Sequence, residues 1–141
     1  MIRPATYDDL EDLLHIERQC FVSDLLTRRA FIQHLPKTFV YVLHKRVVGY
    51  IIIFMRYNSK IARVYSLAVL YEVSSIRIGT KLLKHAEKEA KSCRRTTMQL
   101  EVREDNDEAI GLYVKHGYEC FNTYRDYYAD KCDALRFRKE L

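Results

Sequence analysis

The sequence lacks a long hydrophobic run, an export signal and the composition of a disordered chain. Its longest apolar run, Val47 to Met55, is interrupted by Gly49 and falls short of the roughly 18 residues that a membrane span needs. The N-terminal segment does not have the charged-then-apolar layout of a signal peptide, so we expect a cytoplasmic protein with no membrane partner. The 141 residues are 48% hydrophobic and 30% charged, which excludes disorder and fits one domain over residues 1–141.

Metal-ligand spacing is also missing. The four cysteines, Cys20, Cys93, Cys120 and Cys132, are never two to four residues apart, and the five histidines form no short motif. This pattern excludes the usual zinc-finger spacing, and we expect reduced thiols and no metal. Glycine is scarce, with 4 residues, so each glycine needs a specific structural reason.

The charge is moderately basic, with 24 Lys and Arg against 19 Asp and Glu and a net charge of +5. Such a balance suits a polyanionic partner, but it does not choose between a nucleic acid, a ribosome and a phosphorylated cofactor. The lysines between residues 81 and 91 are most simply a solvated helix face. The interleaved lysines and tyrosines could also suggest an RNA or ribosome contact, but no direct nucleic-acid-binding motif is present.

The spacing of apolar residues predicts alternating helices and strands along the whole chain. We predict strands at 2–6, 38–43, 47–56, 60–69, 96–103, 118–124 and 134–139. We predict helices that open at Asp8, that are capped by Thr27 and stopped by Pro36, and that span 78–93 and 107–116, the last ending before Gly117. Residues 44–46 form a turn. The series of strand, helix and strand between residues 60 and 103 predicts a parallel crossover. The predicted class is α+β, a mixed and mostly antiparallel sheet with a central parallel pair and helices on both faces.

A strand-to-helix turn in the middle of the chain has the features of an anion site. It contains Ser74, Ser75 and Gly79, directly before the apolar helix pattern. The first N–H groups of a helix are unpaired and carry partial positive charge, and a glycine there permits close approach of a phosphate. The same arrangement also occurs in many turns that bind nothing.

A second motif is more specific. Leu100-Glu101-Val102-Arg103 is followed by N-x-x-A-x-x-L-Y-x-x-x-G-Y, ending at Tyr118. With the opening IRPATYDDL, the LAV before the turn and the IGTKLL after it, the chain resembles the GCN5-related N-acetyltransferase (GNAT) superfamily. The LEVR motif and the later Arg125-Asp126-Tyr127-Tyr128 are most similar to the branch that acetylates protein N-termini. That branch includes the bacterial ribosomal-protein alanine acetyltransferase (RimI) and the catalytic subunits of N-terminal acetyltransferases.

The resemblance implies acetyl-CoA as co-substrate, bound between two splayed parallel strands, and a primary amine as acceptor. The acceptor it implies is a protein or peptide N-terminus, such as that of a ribosomal protein. Backbone groups of Leu67, Ala68 and Val69 would hold the pantetheine arm and polarise the acetyl carbonyl. Backbone N–H groups of the turn would hold the pyrophosphate, at Ser74, Ser75, Arg77, Ile78, Gly79 and Thr80.

The turn departs from the family pattern at two positions. The family usually has Gln or Arg, two variable residues, Gly, one variable residue, and Gly or Ala; here these positions are Ser74, Arg77 and Gly79. We expect a helix-start conformation at Arg77, which does not require glycine. Arg77 then either adds a charged contact to a phosphate or crowds the turn and weakens cofactor binding.

Two side chains are candidates for proton transfer, which the reaction needs because an ammonium cannot attack a thioester. The resemblance makes Glu101 the general base, at the end of a parallel strand, and Tyr113 the general acid near the cofactor sulfur. The alternative for Glu101 is a solvated strand glutamate, since charged residues are mostly exposed. The alternative for Tyr113 is a core tyrosine, and the ring can pack while its hydroxyl points into the site.

Four further residues have implied binding roles. Asn106 matches the family asparagine that contacts the cofactor arm, and it is equally well placed as a helix cap. Tyr127 and Tyr128 match the family tyrosines that line the peptide site. The alternative is that they form an aromatic pair that packs on the sheet edge. Phe21 lies in the loop that forms the other wall in the family, here without the Pro-Trp of many relatives. Two other functions stay open: a GNAT acting on a small amine or lysine side chain, and a non-catalytic CoA-binding or ribosome-associated module.

Overall fold

Within residues 1–73 and 77–141, which the computed structural model describes, seven strands and four α-helices follow one another in the predicted order. The strands are β1 (Ile2–Pro4), β2 (Thr38–Leu43), β3 (Arg46–Met55), β4 (Ile61–Val69), β5 (Thr97–Arg103), β6 (Glu119–Tyr124) and β7 (Ala134–Glu140). The helices are α1 (Leu10–Cys20), α2 (Arg28–His34), α3 (Ile78–Ser92) and α4 (Asp107–Lys115). No helix in this described part of the chain has the length and apolar character that crossing a membrane requires.

The strands form one sheet in the order β1-β2-β3-β4-β5-β7-β6. The β4–β5 pair is parallel, and its ladder runs from Ile61 opposite Thr97 to Val64 opposite Leu100. The pairs β1–β2, β2–β3, β5–β7 and β6–β7 are antiparallel. The predicted mixed sheet with one parallel pair is therefore confirmed.

Local signals set most element ends. The side chain of Thr27 accepts a hydrogen bond from the Ala30 N–H at 3.1 Å and caps α2, as predicted. Pro36 lies in a short 3-10 helix, Leu35–Lys37, directly after α2. Gly117 follows α4 with φ at +91°, the left-handed conformation that glycine adopts without strain. The predicted turn at 44–46 is one residue too long, because only His44 and Lys45 have positive φ and Arg46 already pairs with Leu43.

The chain divides into two compact units. Unit 1 comprises residues 1–53 and 66–86, and unit 2 comprises residues 54–65 and 87–141. In unit 1 the first two helices and β3 contribute fully buried side chains, among them Leu13, Ile16, Phe31, Tyr50 and Ile52. Their burial removes apolar area from water and supplies the main stabilisation of this unit.

In unit 2, β5 alternates strictly between its two faces. Met98, Leu100 and Val102 are buried, as their spacing predicts. Glu101 lies on the opposite face and is paired in register with Arg136 of β7. Directly opposed residues of antiparallel strands project on the same side, so the sheet itself brings this carboxylate and guanidinium together.

Candidate active site

The end of β4 in unit 1 lies against a glycine that no other residue can replace without a shift. A Cβ atom on Gly49 would come within 3.1 Å of the Ala68 carbonyl oxygen and 3.2 Å of Val69 Cγ2 and Leu82 Cδ1. Gly49 therefore sets how closely β3 approaches the backbone at Ala68 and Val69, which the sequence predicts as pantetheine contacts. The short apolar run around Gly49 hides this role in the sequence.

The loop that carries Phe21 is joined to the same strand end. The Cys20 thiol contacts the Val69 carbonyl oxygen at 3.2 Å, and the Phe21 N–H donates to the Glu17 carbonyl at 3.1 Å to close α1. Phe21, the predicted acceptor-loop residue, therefore directly follows the residue that contacts Val69. Val22, the next residue, is 79% exposed, so the loop turns outward from here.

A buried polar network behind this loop escapes sequence reasoning. Glu17 is 2% exposed; its Oε1 accepts a hydrogen bond from the Tyr50 hydroxyl, and its Oε2 accepts one from the Leu26 N–H at 2.8 Å. The Tyr50 hydroxyl also lies 2.8 Å from the Ser66 hydroxyl. Burial raises the pKa of Glu17, while the two hydrogen bonds oppose that rise. The network links α1, β3, β4 and the loop between α1 and α2.

The predicted pyrophosphate turn shows one departure from expectation. Arg77 has φ at +62°, in the left-handed region that favours glycine, so the expected helix-start conformation at this position is wrong. Its carbonyl accepts from the Lys81 N–H at 3.1 Å and starts α3. Ile78 is buried and Gly79 and Thr80 are half-buried in the first turn of α3, while Ser74 and Ser75 lie outside the described residues. Pyrophosphate binding at this turn stays a prediction.

The candidate base in unit 2 is not a solvated glutamate. The side chain of Glu101 is 8% exposed; one carboxylate oxygen is ion-paired with an Arg63 guanidinium nitrogen, and the other lies 3.6 Å from Arg136 Nε. Arg136 also donates to the Gln99 side-chain oxygen at 3.3 Å and lies over the Phe121 and Tyr124 rings. A carboxylate offers about four acceptor positions, so two guanidinium contacts leave Glu101 able to accept a further proton donor.

The candidate acid belongs to the same unit. Tyr113 is 6% exposed, and its ring packs against Tyr118 and Phe137 with centroids 5.7 and 6.4 Å away. Burial and the nearby Tyr128 raise the pKa of the Tyr113 hydroxyl well above that of a free phenol. The packing role is confirmed, and the raised pKa keeps a proton on the hydroxyl at neutral pH. The role as general acid stays a prediction.

The predicted substrate tyrosines lie in the connection between β6 and β7. The Tyr127 ring is stacked on Tyr124 at 5.5 Å and stands edge-on to Tyr128 at 5.0 Å. The pKa of Tyr128 is raised to about 12, mainly by burial and to a smaller extent by the neighbouring Tyr127 and Glu101. The positive charge of Arg103 lowers this pKa in part. Arg103 lies on the same face of β5 as Glu101, and its guanidinium lies over the Tyr128 ring, so Tyr128 is placed beside the strand face that carries Glu101.

Arg103 holds this connection in place, which the sequence did not indicate. Its guanidinium pairs with Asp130 at 2.7 Å and with Asp105 at 3.1 Å, and it lies 5.1 Å from the centre of the Tyr128 ring. These hydrogen bonds raise the pKa of Arg103 still further above its ordinary range, Asp130 first. Charge-assisted pairs with fork geometry fix orientation as well as distance.

Asn106 is the N-cap of α4, one of its two predicted roles. Its side-chain oxygen accepts from the Ala109 N–H at 3.1 Å. Because the oxygen is used by the cap, the amide NH2 is the group that would donate to a carbonyl of a cofactor arm. The cap and the predicted cofactor contact therefore use different atoms of one side chain.

The comparisons with known proteins agree on one family. A family model described as "Acetyltransferase (GNAT) family" matches residues 5–118. An N-alpha-acetyltransferase of Sulfurisphaera tokodaii is 32% identical over 148 aligned residues, covering 94% of this chain and 88% of that protein.

Two solved structures superpose on nearly the whole chain. The crystal structure of Ard1 from Thermoplasma volcanium superposes with a TM-score of 0.93 at 25% identity, covering 100% of this chain and 97% of that one. The ribosomal-protein-S18-alanine N-acetyltransferase of Escherichia coli superposes with a TM-score of 0.87 at 23% identity, over 99% of this chain and 92% of that one. The second likeness shows a shared fold.

Proposed function

Because the chain belongs to the acetyltransferase (GNAT) family and is an acetyl-CoA-dependent N-acetyltransferase, we propose that its acceptor is the α-amine of a protein N-terminus. The single observation that carries this proposal is the buried Glu101 carboxylate, which lies on the same face of β5 as Arg103, the residue whose guanidinium lies over the Tyr128 ring. The relative from Sulfurisphaera tokodaii, named an N-alpha-acetyltransferase, supports the same acceptor class.

Acetyl-CoA supplies the acetyl group as a thioester, and the residues of this chain would manage its protons. In our proposal Glu101 takes a proton from the acceptor ammonium, directly or through one water, so that the nitrogen lone pair can attack. When the C–S bond breaks, Tyr113 would donate its hydroxyl proton to the departing sulfur, and the second proton lost by the attacking nitrogen would restore the phenol. Tyr127 and Tyr128 line the peptide, held by the Arg103 pairs.

The cofactor contacts that we propose lie in unit 1. Gly49 leaves the backbone at Ala68 and Val69 uncrowded, which suits a pantetheine arm running along a strand end. The first turn of α3, at Ile78, Gly79 and Thr80, offers helix N–H groups to a pyrophosphate.

The acceptor class is tested by competition between two peptides. One has a free N-terminus and no lysine, and the other has a blocked N-terminus and one internal lysine. An α-amine has a pKa of about 8 and a lysine about 10.4, so a carboxylate base deprotonates the α-amine far more readily near neutral pH. We expect intact-mass analysis to show acetylation mainly of the free N-terminus. A clear preference for lysine would move the enzyme to the lysine or small-amine class.

The base is tested with Glu101→Gln and, as a matched control, Glu140→Gln on the exposed end of β7. We expect the first variant to lose turnover at pH 7 and to recover part of it toward pH 9, where free amine exists without a base. The control should keep wild-type turnover at both pH values. Wild-type turnover by Glu101→Gln at pH 7 would remove Glu101 from the mechanism.

The ribosomal partner is tested with the same assay. We propose that N-terminal peptides of ribosomal proteins are among the acceptors, and a set of such peptides with varied first residues would rank them. Binding of acetyl-CoA with acetylation of no amine would instead identify a non-catalytic cofactor-binding module.

A further inference from the structure

Three charged side chains meet in unit 2 with an excess of positive charge. Glu101 contributes one negative charge, and Arg63 and Arg136 contribute two positive charges around it. Glu101 Oε2, Arg63 Nε and Arg136 Nε are all buried and make no hydrogen bond among the residues that the structure describes. Glu101 Oε2 and Arg136 Nε are ion-paired with each other at 3.6 Å, so Arg63 Nε is the buried nitrogen of this trio that an acceptor oxygen would satisfy.

The two arginines differ in their surroundings. Arg136 is 21% exposed and is occupied by Gln99 and by two aromatic rings. Arg63 is 38% exposed, and its guanidinium lies over the Tyr65 ring, which stacks on Phe54. Arg63 is therefore the cation of this trio that a ligand can reach.

The charge balance favours one kind of acceptor. An amine that approaches Glu101 as an ammonium meets a surplus positive charge, which disfavours a neutral first residue. An acceptor that brings a carboxylate close to its amine offsets this surplus. Guanidinium and carboxylate groups also match geometrically, with two parallel hydrogen bonds.

From this arrangement, which rests on the proposed function, we propose that Arg63 is a specificity-determining residue for acceptors whose first residue is Asp or Glu. The side-chain carboxylate of such a residue is only a few bonds from its α-amine. When the amine lies at Glu101, the acceptor carboxylate is within reach of the guanidinium that contacts Glu101.

The same contact explains how Glu101 becomes available. In the structure one Glu101 oxygen is held by Arg63. An acceptor carboxylate competes for that guanidinium, and its binding releases the Glu101 oxygen to take the ammonium proton. The acceptor thereby supplies the anion that replaces Glu101 in the ion pair, and charge is conserved at each step.

The test compares matched acceptor peptides that differ in one atom group. Peptides beginning with Asp and Asn, or with Glu and Gln, are otherwise identical, and kcat and KM are measured for each. For the wild-type enzyme we expect kcat/KM to favour Asp over Asn by about 10-fold or more, the worth of a hydrogen bond between charged groups. Arg63→Gln should bring this ratio to about 1, and Arg63→Lys should give a value between the two.

A crossed pattern separates specificity from damage. Arg63→Gln should lower kcat/KM for acidic peptides but leave it equal or higher for Asn and Gln peptides, because Glu101 is no longer held. Arg138→Gln is the matched control, since Arg138 is an exposed arginine on β7 that lies over the Phe121 ring. It should keep the wild-type ratio.

The outcomes separate this inference from the proposed function. Acetylation of neutral N-termini with no preference for Asp over Asn by the wild-type enzyme would overturn the role of Arg63 and leave the proposed function intact. Acetylation of no peptide N-terminus would overturn the proposed function itself. If Arg63→Gln fails to fold, the wild-type ratio and the Arg63→Lys ratio still decide.

Discussion

The Tyr50 hydroxyl donates a hydrogen bond to the Glu17 carboxylate at 2.5 Å in the buried interior of unit 1. The second Glu17 oxygen accepts from the Leu26 N–H, so one side chain ties the β3 strand to the loop that follows α1. This loop carries Phe21. Its geometry therefore depends on a carboxylate that takes no part in the proposed chemistry.

We expect Glu17→Ala to lower the free energy of unfolding by about 2–4 kcal/mol, because it leaves a cavity and a buried N–H without an acceptor. Glu17→Gln should cost less than about 1 kcal/mol, since its amide keeps one acceptor and adds one donor for the Tyr50 oxygen. Urea unfolding of both variants measures the difference. Equal losses would mean that the hydrogen bonds kept by the amide contribute nothing.

The pH dependence of the same pair has a definite sign. Burial raises the pKa of folded Glu17 above its unfolded value of about 4.5, so the stability it contributes is full below that value and is lost as pH rises through the folded pKa. The wild-type protein should therefore lose stability relative to Glu17→Gln as the pH rises from about 4 to neutral. Unfolding free energies measured across this range check it, and a difference that grows in the other direction would contradict it.

Arg77→Gly should stabilise the protein by about 0.5–1 kcal/mol, because a non-glycine residue at φ +62° is strained, and the flexibility of glycine in the unfolded chain offsets part of the gain. Arg94 also has φ at +62° and is exposed, so Arg94→Gly is a control for the strain alone. Thermal unfolding should show similar gains for both variants. Only Arg77→Gly should change acetyl-CoA affinity, tighter if the side chain crowds the turn and weaker if it contacts a phosphate.

Tyr113→Phe keeps the packed ring and removes the hydroxyl, so we expect turnover to fall about 10- to 1000-fold with stability nearly unchanged. The raised pKa also means that Tyr113 stays protonated, so wild-type activity should show no loss from this group up to about pH 10. Tyr118→Phe is the contrasting control. It removes a 2.7 Å hydrogen bond to Glu87 and should lower stability while turnover persists.

Gly49→Ala should destabilise the protein by about 1–3 kcal/mol, since the added methyl meets a backbone oxygen that cannot move without the strand. The KM for acetyl-CoA should rise, because Ala68 and Val69 are displaced. Gly111→Ala is the control: its Cβ would meet nothing within 4 Å, and alanine is the better helix former in α4. A stabilised Gly49→Ala enzyme would contradict the close approach.

Local patterns predicted much of the fold. The predicted strand at 38–43 has the bounds that the structure shows. The predicted helix at 78–93 ends one residue late, and the predicted strand at 96–103 begins one residue early. These elements are determined by local features, namely apolar spacing, a threonine cap and a glycine at a helix end. Such features involve residues close together in sequence, so a sequence pattern can predict them.

The site was less accessible to such reasoning. The Glu101 ion pairs join residues 38 and 35 positions apart in sequence, and only strand register brings them together. The sequence did not indicate the role of Glu17, because its partner Tyr50 lies 33 residues further along the chain. The left-handed backbone conformation of Arg77 could not be predicted, because arginine has no preference for that conformation.

The ion pairs of Arg103 with Asp105 and Asp130 should weaken as ionic strength rises. Asp105 and Asp130, which anchor the connection bearing Tyr127 and Tyr128, are 62% and 43% exposed, so dissolved ions compete for the guanidinium. The buried faces of β5 and β7 do not depend on these charges. Concentrated salt thus loosens Tyr127 and Tyr128, which we propose line the peptide, while the sheet beneath them stays folded. A preparation kept in such a buffer can look intact by melting temperature yet bind its acceptor poorly.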